Sequence, residues 1–315
     1  MRAHCAEYTG GVRSPARKSA AATTLAESIT AWYQREAREL PWRGTHAHDV
    51  DGWAVLVSEF MLQQTQAARV VPYFESFMAR WPKPSSLAAE PPGEAVRAWG
   101  RLGYPRRALW LHRAASEIAN QHGDTVPSDI DVLLSLTGIG PYTARAVASF
   151  AYAKRHPVVD TNTRRVLARL VHGKAAAAAP GPRDLDDMTA LLPEDPVAAR
   201  EFNAAAMELG ATVCTARAPK CDECPVAAWC EWRGSGYPDN APTVRRSAAF
   251  EGSDRQVRGR IMALLRHSAE PVAVTDALHV AADGGVRDES QPKRALDSLT
   301  ADGLVIEYEG YIRLP

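Results

Sequence analysis

The chain has no net charge: across 315 residues, Lys+Arg and Asp+Glu each number 37. A zero balance gives no global sign of a nucleic-acid partner, so any DNA-facing surface must be a local patch. A long apolar run is missing too, and no window approaches the roughly 20 residues that cross a bilayer. Residues 1–24 are basic and rich in Ser and Ala, with no apolar core, which excludes a secretory signal. They read as a disordered tail. Cysteine is scarce, with five in all; Cys5 stands alone in the tail and reads as an unrelated free thiol. Strand-like alternation is absent from Leu25 to about Met207, which excludes a β-rich core there.

What is present is helical. Segments such as "LAESITAWYQREAREL", "PYFESFMARW" and "RALWLHRAASEIANQHG" carry the 3.6-residue period, with Gly and Pro between them. The length suits two or more domains, and 46% apolar residues are ample for packed interiors. Residues 25–210 read as a helical domain, 211–232 as a cysteine loop and 233–254 as a linker rich in small and turn residues. Residues 255–315 show three helical patterns, then "LVIEYEGYIRLP", two short strands around Glu309-Gly310. That is the order of a winged helix, a fold that either binds DNA or supports a neighbour. Charge is segregated. Arg97 to Arg113 holds five arginines and a histidine without an acid, and a second arginine run from Arg145 to Arg169 faces only Asp160. Both read as anion-binding faces.

Four constellations carry chemistry. In "LTGIGPYTARAV" (136–147), Gly138 and Gly140 flank a turn before Pro141, a favoured first helical residue. Their amides, beside a helix N-terminus, make a phosphate cradle of the helix-hairpin-helix kind. Cys214, Cys221, Cys224 and Cys230 have the spacing of a metal-wrapping loop. Disulfides are disfavoured because nothing marks the chain as exported. Zinc remains an alternative, although the single CxxC and uneven outer spacings suit an iron–sulfur cubane better. Asp160 opens the helix "TNTRRVLARL" and reads both as an N-cap and as a carboxylate that helix amides keep ionised. Glu59 lies in "WAVLVSEFML" with no charged neighbour within four residues. Burial there should raise its pKa and make a general acid available, unless the side chain reaches solvent or a backbone partner. One acid held protonated and one held ionised are what cleavage of a glycosidic bond needs.

The motifs "LPWR" (40–43), "SEFMLQQTQ" (58–66), "RLGYPRRALWLH" (101–112), "LTGIGPYTARAV", "VVDTNTRRVLARL" (158–170), "MELGATVC" (207–214) and the four cysteines occur in the order found in MutY-type adenine DNA glycosylases. Over residues 25–235 the chain resembles that family, part of the helix-hairpin-helix glycosylase superfamily. The resemblance implies an all-α, two-lobed glycosylase domain with the active site in its cleft. It also implies a [4Fe-4S] cluster on the four cysteines, a monomer acting in the cytoplasm on nucleoid DNA, and double-stranded DNA with adenine opposite 8-oxoguanine or guanine as the partner. Glu59 matches the general acid, Asp160 the carboxylate facing the sugar cation, and Asn162 a polar helper. Tyr142 stands where bifunctional relatives carry a Schiff-base lysine, which implies a monofunctional enzyme. Arg38, Trp42 and Arg43 match the adenine pocket, Gln64 and Tyr104 match wedges, and Thr65 lies near the opposing base. The chain departs at Pro105, where a second tyrosine is common, at Thr161, where glycine is common, and at Ala204, which follows Phe202-Asn203. It also has a short C-terminal winged-helix-like α+β segment where known members carry a Nudix-like domain. Two other readings stay open: a glycosylase for thymine or oxidised pyrimidines, and an iron–sulfur DNA-binding sensor with an inert glycosylase domain.

Overall fold

The computed structural model describes residues 15–43, 50–239 and 250–315, with side chains from Leu25 onward. In chain order the helices are α1 (Pro15–Glu36), α2 (Gly52–Leu62), α3 (Ala67–Arg80), α4 (Pro84–Ala88), α5 (Pro92–Trp99), α6 (Arg106–Gln121), α7 (Ile130–Ser135), α8 (Pro141–Tyr152), α9 (Thr161–Leu170), α10 (Pro182–Leu191), α11 (Pro196–Thr212), α12 (Glu231–Gly234), α13 (Asp254–His267), α14 (Val274–Ala282) and α15 (Gln291–Ala301). Among the described residues three short strands, β1 (Val272–Ala273), β2 (Ile306–Tyr308) and β3 (Tyr311–Arg313), lie in the C-terminal part. The helix α1 starts at Pro15, so residues 15–24, expected as disordered tail, are helical. The alanines of "AAATT" favour that extension. Residues 1–14, Cys5 among them, lie outside the described residues, as do 240–249 of the expected linker.

The chain divides into two compact units. One takes Met1–Arg38 with Arg155–Pro242, the other Glu39–Lys154 with Thr243–Pro315. In the first, Ile29 and Trp32 of α1 share a core with Val166 of α9, Met188 of α10 and Phe202 of α11. In the second, α2 is the central helix. Its N-cap Asp51 accepts from the Trp53 amide at 3.0 Å, a cap worth about 1 kcal/mol, and every residue from Val55 to Met61 is buried.

The C-terminal segment is the expected winged-helix arrangement, with α13, α14, α15 and an antiparallel sheet ordered β1-β3-β2. Tyr308 pairs with Tyr311, and the turn between them uses positive φ at Glu309 (48°) and Gly310 (79°). The two-residue β1 is too short for a period-2 signal and was not expected. The segment is also not separate. Its Leu296, Ile312 and Leu314 belong to one continuous core with Trp99 of α5 and Phe60 of α2.

Candidate active site and cysteine module

Glu59 is 5% exposed in the last turns of α2, flanked by buried Ser58, Phe60 and Met61. The alternative of a carboxylate reaching solvent is therefore closed. Beyond it the chain turns sharply. Gln63 ends the helix and Gln64 takes a left-handed conformation (φ 56°), which presents it as an exposed side chain. Thr65 Oγ1 donates to the Gln63 and Leu102 carbonyls at 3.3 and 3.5 Å. Tyr104 is likewise left-handed (φ 47°) and 53% exposed. Both expected wedges thus sit on strained, outward-pointing turns of the same unit. Trp42 is buried edge-on against Phe74 at 5.3 Å, and Arg43 next to it is half-buried.

Sequence reading missed the residue that ties these turns together. Arg107 is buried, and its guanidinium donates to the carbonyls of Phe60 and Gln63 at 2.7 Å each and of Gly103 at 3.1 Å. Burial pulls its pKa down to about 10, which still leaves it charged at neutral pH. One cation therefore clamps the end of the Glu59 helix to the Tyr104 turn. Arg107→Met should strip the charged donor from the Phe60 carbonyl and leave those of Gln63 and Gly103 with only Thr65 and Trp99, at a cost of about 3 kcal/mol, visible as a lower melting temperature and a lower excision rate.

The hairpin between α7 and α8 is anchored by Glu117, which accepts from the Thr137 amide (2.8 Å) and hydroxyl (2.6 Å). Its two glycines have different reasons. Gly138 has φ 79°, and a Cβ there would stand 2.7 Å from Trp110 Cβ. Gly140 is the N-cap of α8, and a Cβ there would meet nothing within 4 Å. Packing thus demands the first glycine but not the second, and the open space beside Gly140 is compatible with the expected phosphate cradle. Gly138→Ala should cost about 2 kcal/mol of stability. Gly140→Ala should keep the melting temperature and weaken duplex affinity about tenfold, the value of one lost amide–phosphate bond. Tyr142, in the first turn of α8, is half-buried and offers no amine.

In the other unit, Asp160 is the N-cap of α9. Its Oδ1 accepts from the Thr163 amide at 2.6 Å and its Oδ2 from Asn162 Nδ2 at 2.8 Å. Asn162 Oδ1 accepts from Arg165 Nη2 at 2.9 Å, and Arg165 donates onward to the carbonyls of Gly210 (2.6 Å) and Cys214 (2.8 Å). A Cβ on Gly210 would lie 2.8 Å from Asn162 O, so glycine is what lets α11 approach the Asp160 turn. Asn203, fully buried, accepts from the Val158 amide at 3.0 Å and donates to the His156 carbonyl at 2.9 Å. It holds extended the segment that delivers Asp160. Arg38 is not an open donor. Its fork closes on buried Glu208 at 2.6 and 2.9 Å, a partner the sequence did not single out.

Cys214, Cys221, Cys224 and Cys230 line one small cavity with Val213, Ala227 and Trp232. Four thiols around a space match the body of a cubane. Burial pushes the Cys224 thiol up to about 11 and raises that of Cys214, so thiolates here need a compensating metal charge. Arg169 supplies part of the surround. It donates to Cys214 Sγ at 3.4 Å and to the Thr215 carbonyl at 2.7 Å, and stacks on Trp232 at 4.6 Å.

Most arginines of the two runs find partners within the protein. Arg97 caps the end of α13, Arg107 is buried, Arg106 pairs with Asp302, and Arg113 with Glu117. In the second run Arg155 serves the Leu192 and Pro193 carbonyls, and Arg164 pairs with Asp184. Arg97, Arg107, Arg155 and Arg164 are thus internal braces, whereas Arg106 and Arg113 form exposed pairs and Arg101 is exposed.

A glycine hairpin, a buried glutamate, a capping aspartate and a four-cysteine module define a DNA glycosylase of the helix-hairpin-helix class. The family described as "HhH-GPD superfamily base excision DNA repair protein" matches residues 57–181, and "Iron-sulfur binding domain of endonuclease III" matches residues 214–230. The chain is 53% identical to an adenine DNA glycosylase of Mycobacterium tuberculosis over 91% of this chain and 92% of that one. It is 52% identical to the adenine DNA glycosylase of Mycolicibacterium smegmatis over 88% of this chain and 91% of that one. Among solved structures it is similar to a thermostable thymine-DNA glycosylase (TM-score 0.62, 25% identity, 70% of this chain, 100% of that one). The chain belongs to the adenine DNA glycosylase family of the HhH-GPD superfamily. It is a base-excision-repair enzyme that binds DNA, and its four clustered cysteines hold a [4Fe-4S] cluster. No helix among the described residues is long and apolar enough to cross a membrane.

Proposed function

We infer that the enzyme, acting as a monomer on nucleoid DNA in the cytoplasm, excises adenine paired with 8-oxoguanine or guanine. The observation that carries this is the contrast between its two carboxylates. Glu59 is buried in an apolar helix, while Asp160 is held by an amide and an Asn162 N–H. Glu59 donates a proton to the extruded base. The N-glycosidic bond breaks, its electron pair leaving with adenine, and Asp160 balances the cation left on the sugar until water adds. Asn162 fixes the Asp160 carboxylate. Tyr142 has no amine to form an imine, so the backbone stays intact and the enzyme is monofunctional. Trp42 and Arg43, and separately Arg38 with its partner Glu208, are the side chains assigned to recognition of the adenine. Gln64 and Tyr104 fill the stack after extrusion, which costs a few kcal/mol, with Thr65 beside the opposing base. Gly138 and Gly140 present the hairpin to a phosphate. The cluster contributes a fold-stabilising and DNA-contacting module.

Duplexes with A:8-oxoguanine, A:G, T:G and A:T test this, abasic sites being read by alkaline cleavage. Adenine release from the first two, with no nick before alkali, is expected. Release from T:G alone would favour the thymine reading, to which the 0.62 TM-score similarity points. No release from any mismatch would sink the glycosylase assignment and favour the sensor.

A further inference from the structure

The C-terminal winged helix has the shape of a DNA reader but not the charge. From Asp254 to Pro315 it holds eight Lys/Arg against ten Asp/Glu. A duplex is a dense row of phosphates, so a reading module needs uncompensated cations. On α15, the helix that would enter a groove, Lys293 pairs with Asp297 and Arg294 with Asp288. Arg260 is engaged by the carbonyls of Ala281, Gly284 and Gly285.

What the segment does grip is the turn that carries Tyr104. The carbonyls of that turn are satisfied almost one by one. Gly100 O is taken by Arg266 of α13, Arg101 O by Arg69, Leu102 O by Thr65, and Gly103 O by Trp99 and Arg107. The grip is reciprocal, because Arg97 of α5 donates to the carbonyls of Leu265 and Arg266 at 3.1 and 2.7 Å. After the turn, Arg106 pairs with Asp302 at 3.3 Å, and Asp302 is itself held by Arg258. At the start of α5, the Gly93 amide donates to Pro315 O at 2.6 Å. The turn is thus held at both ends by the winged helix, which shares its core.

We propose that the winged-helix segment is a brace rather than a DNA reader: Arg266 and Asp302 are positioning residues that set the 100–106 turn so that Tyr104 stands ready to enter the base stack. This rests on Tyr104 being a wedge. Tyr104 has positive φ and is 53% exposed, so the surrounding structure must hold that strained backbone.

The test is a double-mutant cycle in the full-length, cluster-loaded protein, with single-turnover excision from an A:G duplex as readout. Arg266→Met keeps bulk and removes the donor. Asp302→Asn keeps shape on the surface and serves if the first variant folds poorly. Each should slow excision, Arg266→Met by about tenfold. In a Tyr104→Ala background neither should slow it further. A merely stabilising role would give additive losses, and additivity would overturn the brace. So would a wild-type rate in both single variants while Tyr104→Ala is impaired. A wild-type rate in Tyr104→Ala itself would instead overturn the wedge reading, and the brace with it. Separately, the Lys293→Ala/Arg294→Ala double variant should leave the salt dependence of duplex affinity unchanged. A slope reduced by about two would show that the segment reads DNA after all.

Discussion

Glu59→Gln is expected to bind an A:G or A:8-oxoguanine duplex as tightly as the parent and to excise adenine about a thousandfold more slowly, within the range general acid catalysis contributes. The amide fills the same volume, so the packing of α2 around Leu56, Phe60 and Met61 is kept. What disappears is the proton that a carboxyl can give and take back. A polar group this deep has its partners fixed by the fold, and the amide brings two donors where the acid has at most one. Some loss of melting temperature, worth about 1 kcal/mol, is therefore expected, and it does not account for a thousandfold rate change. Duplex affinity by titration and single-turnover rate, measured on the same preparation, separate the two effects. A variant that turns over at the parent rate would place the acid elsewhere, and one that no longer binds would make Glu59 a binding group instead.

The parts of this site that were legible in sequence are those set by local rules. An uncharged apolar run predicts that Glu59 is buried, and it is. Glycine spacing predicts the hairpin, an aspartate before a periodic run predicts the cap at Asp160, and cysteine spacing predicts the cluster. The arginines were misread for a physical reason. A guanidinium at neutral pH is a cation in any sequence, but its partners are carbonyls and carboxylates distant along the chain. Arg107 reaches Phe60, Arg38 reaches Glu208, and Arg97 reaches Arg266. Which helix ends come within reach is decided by tertiary packing, so charge density alone suggested open faces where the fold built internal clamps. Asn203 was missed in the same way, because its amide completes a backbone segment 45 residues away in sequence. The docking of the C-terminal segment was hidden too. A linker rich in small residues looks the same whether the next domain swings free or packs into the preceding core, as Leu314 and Trp99 do here.

Asp160→Ser should retain the fold and lose excision by about two to three orders of magnitude, the scale of losing one preorganised electrostatic partner of the transition state. Serine matters here because Asp160 has two jobs. As N-cap it takes the Thr163 amide at 2.6 Å, and serine caps about as well, so stability should change by less than about 1 kcal/mol. As a charge it would, on the proposed mechanism, balance the cationic sugar, and serine brings none. The common choice, Asp160→Asn, confounds the two. Its Oδ1 can keep the Thr163 bond, but its amide nitrogen would then face Asn162 Nδ2, donor against donor. Asn162 cannot turn to help, because its own Oδ1 is held by Arg165 Nη2 at 2.9 Å, and Arg165 is held by Gly210 and Cys214. Asp160→Asn should therefore lose activity and about 1 kcal/mol of stability together, with the disturbance passed to the loop that bears Cys214. If the cap alone mattered, Asp160→Ser would excise at the parent rate and Asp160→Ala would be the slow variant. If the charge matters, both are slow, and of these two only Asp160→Ala melts early. Melting curves and single-turnover rates on these three variants decide between a capping residue and a catalytic one.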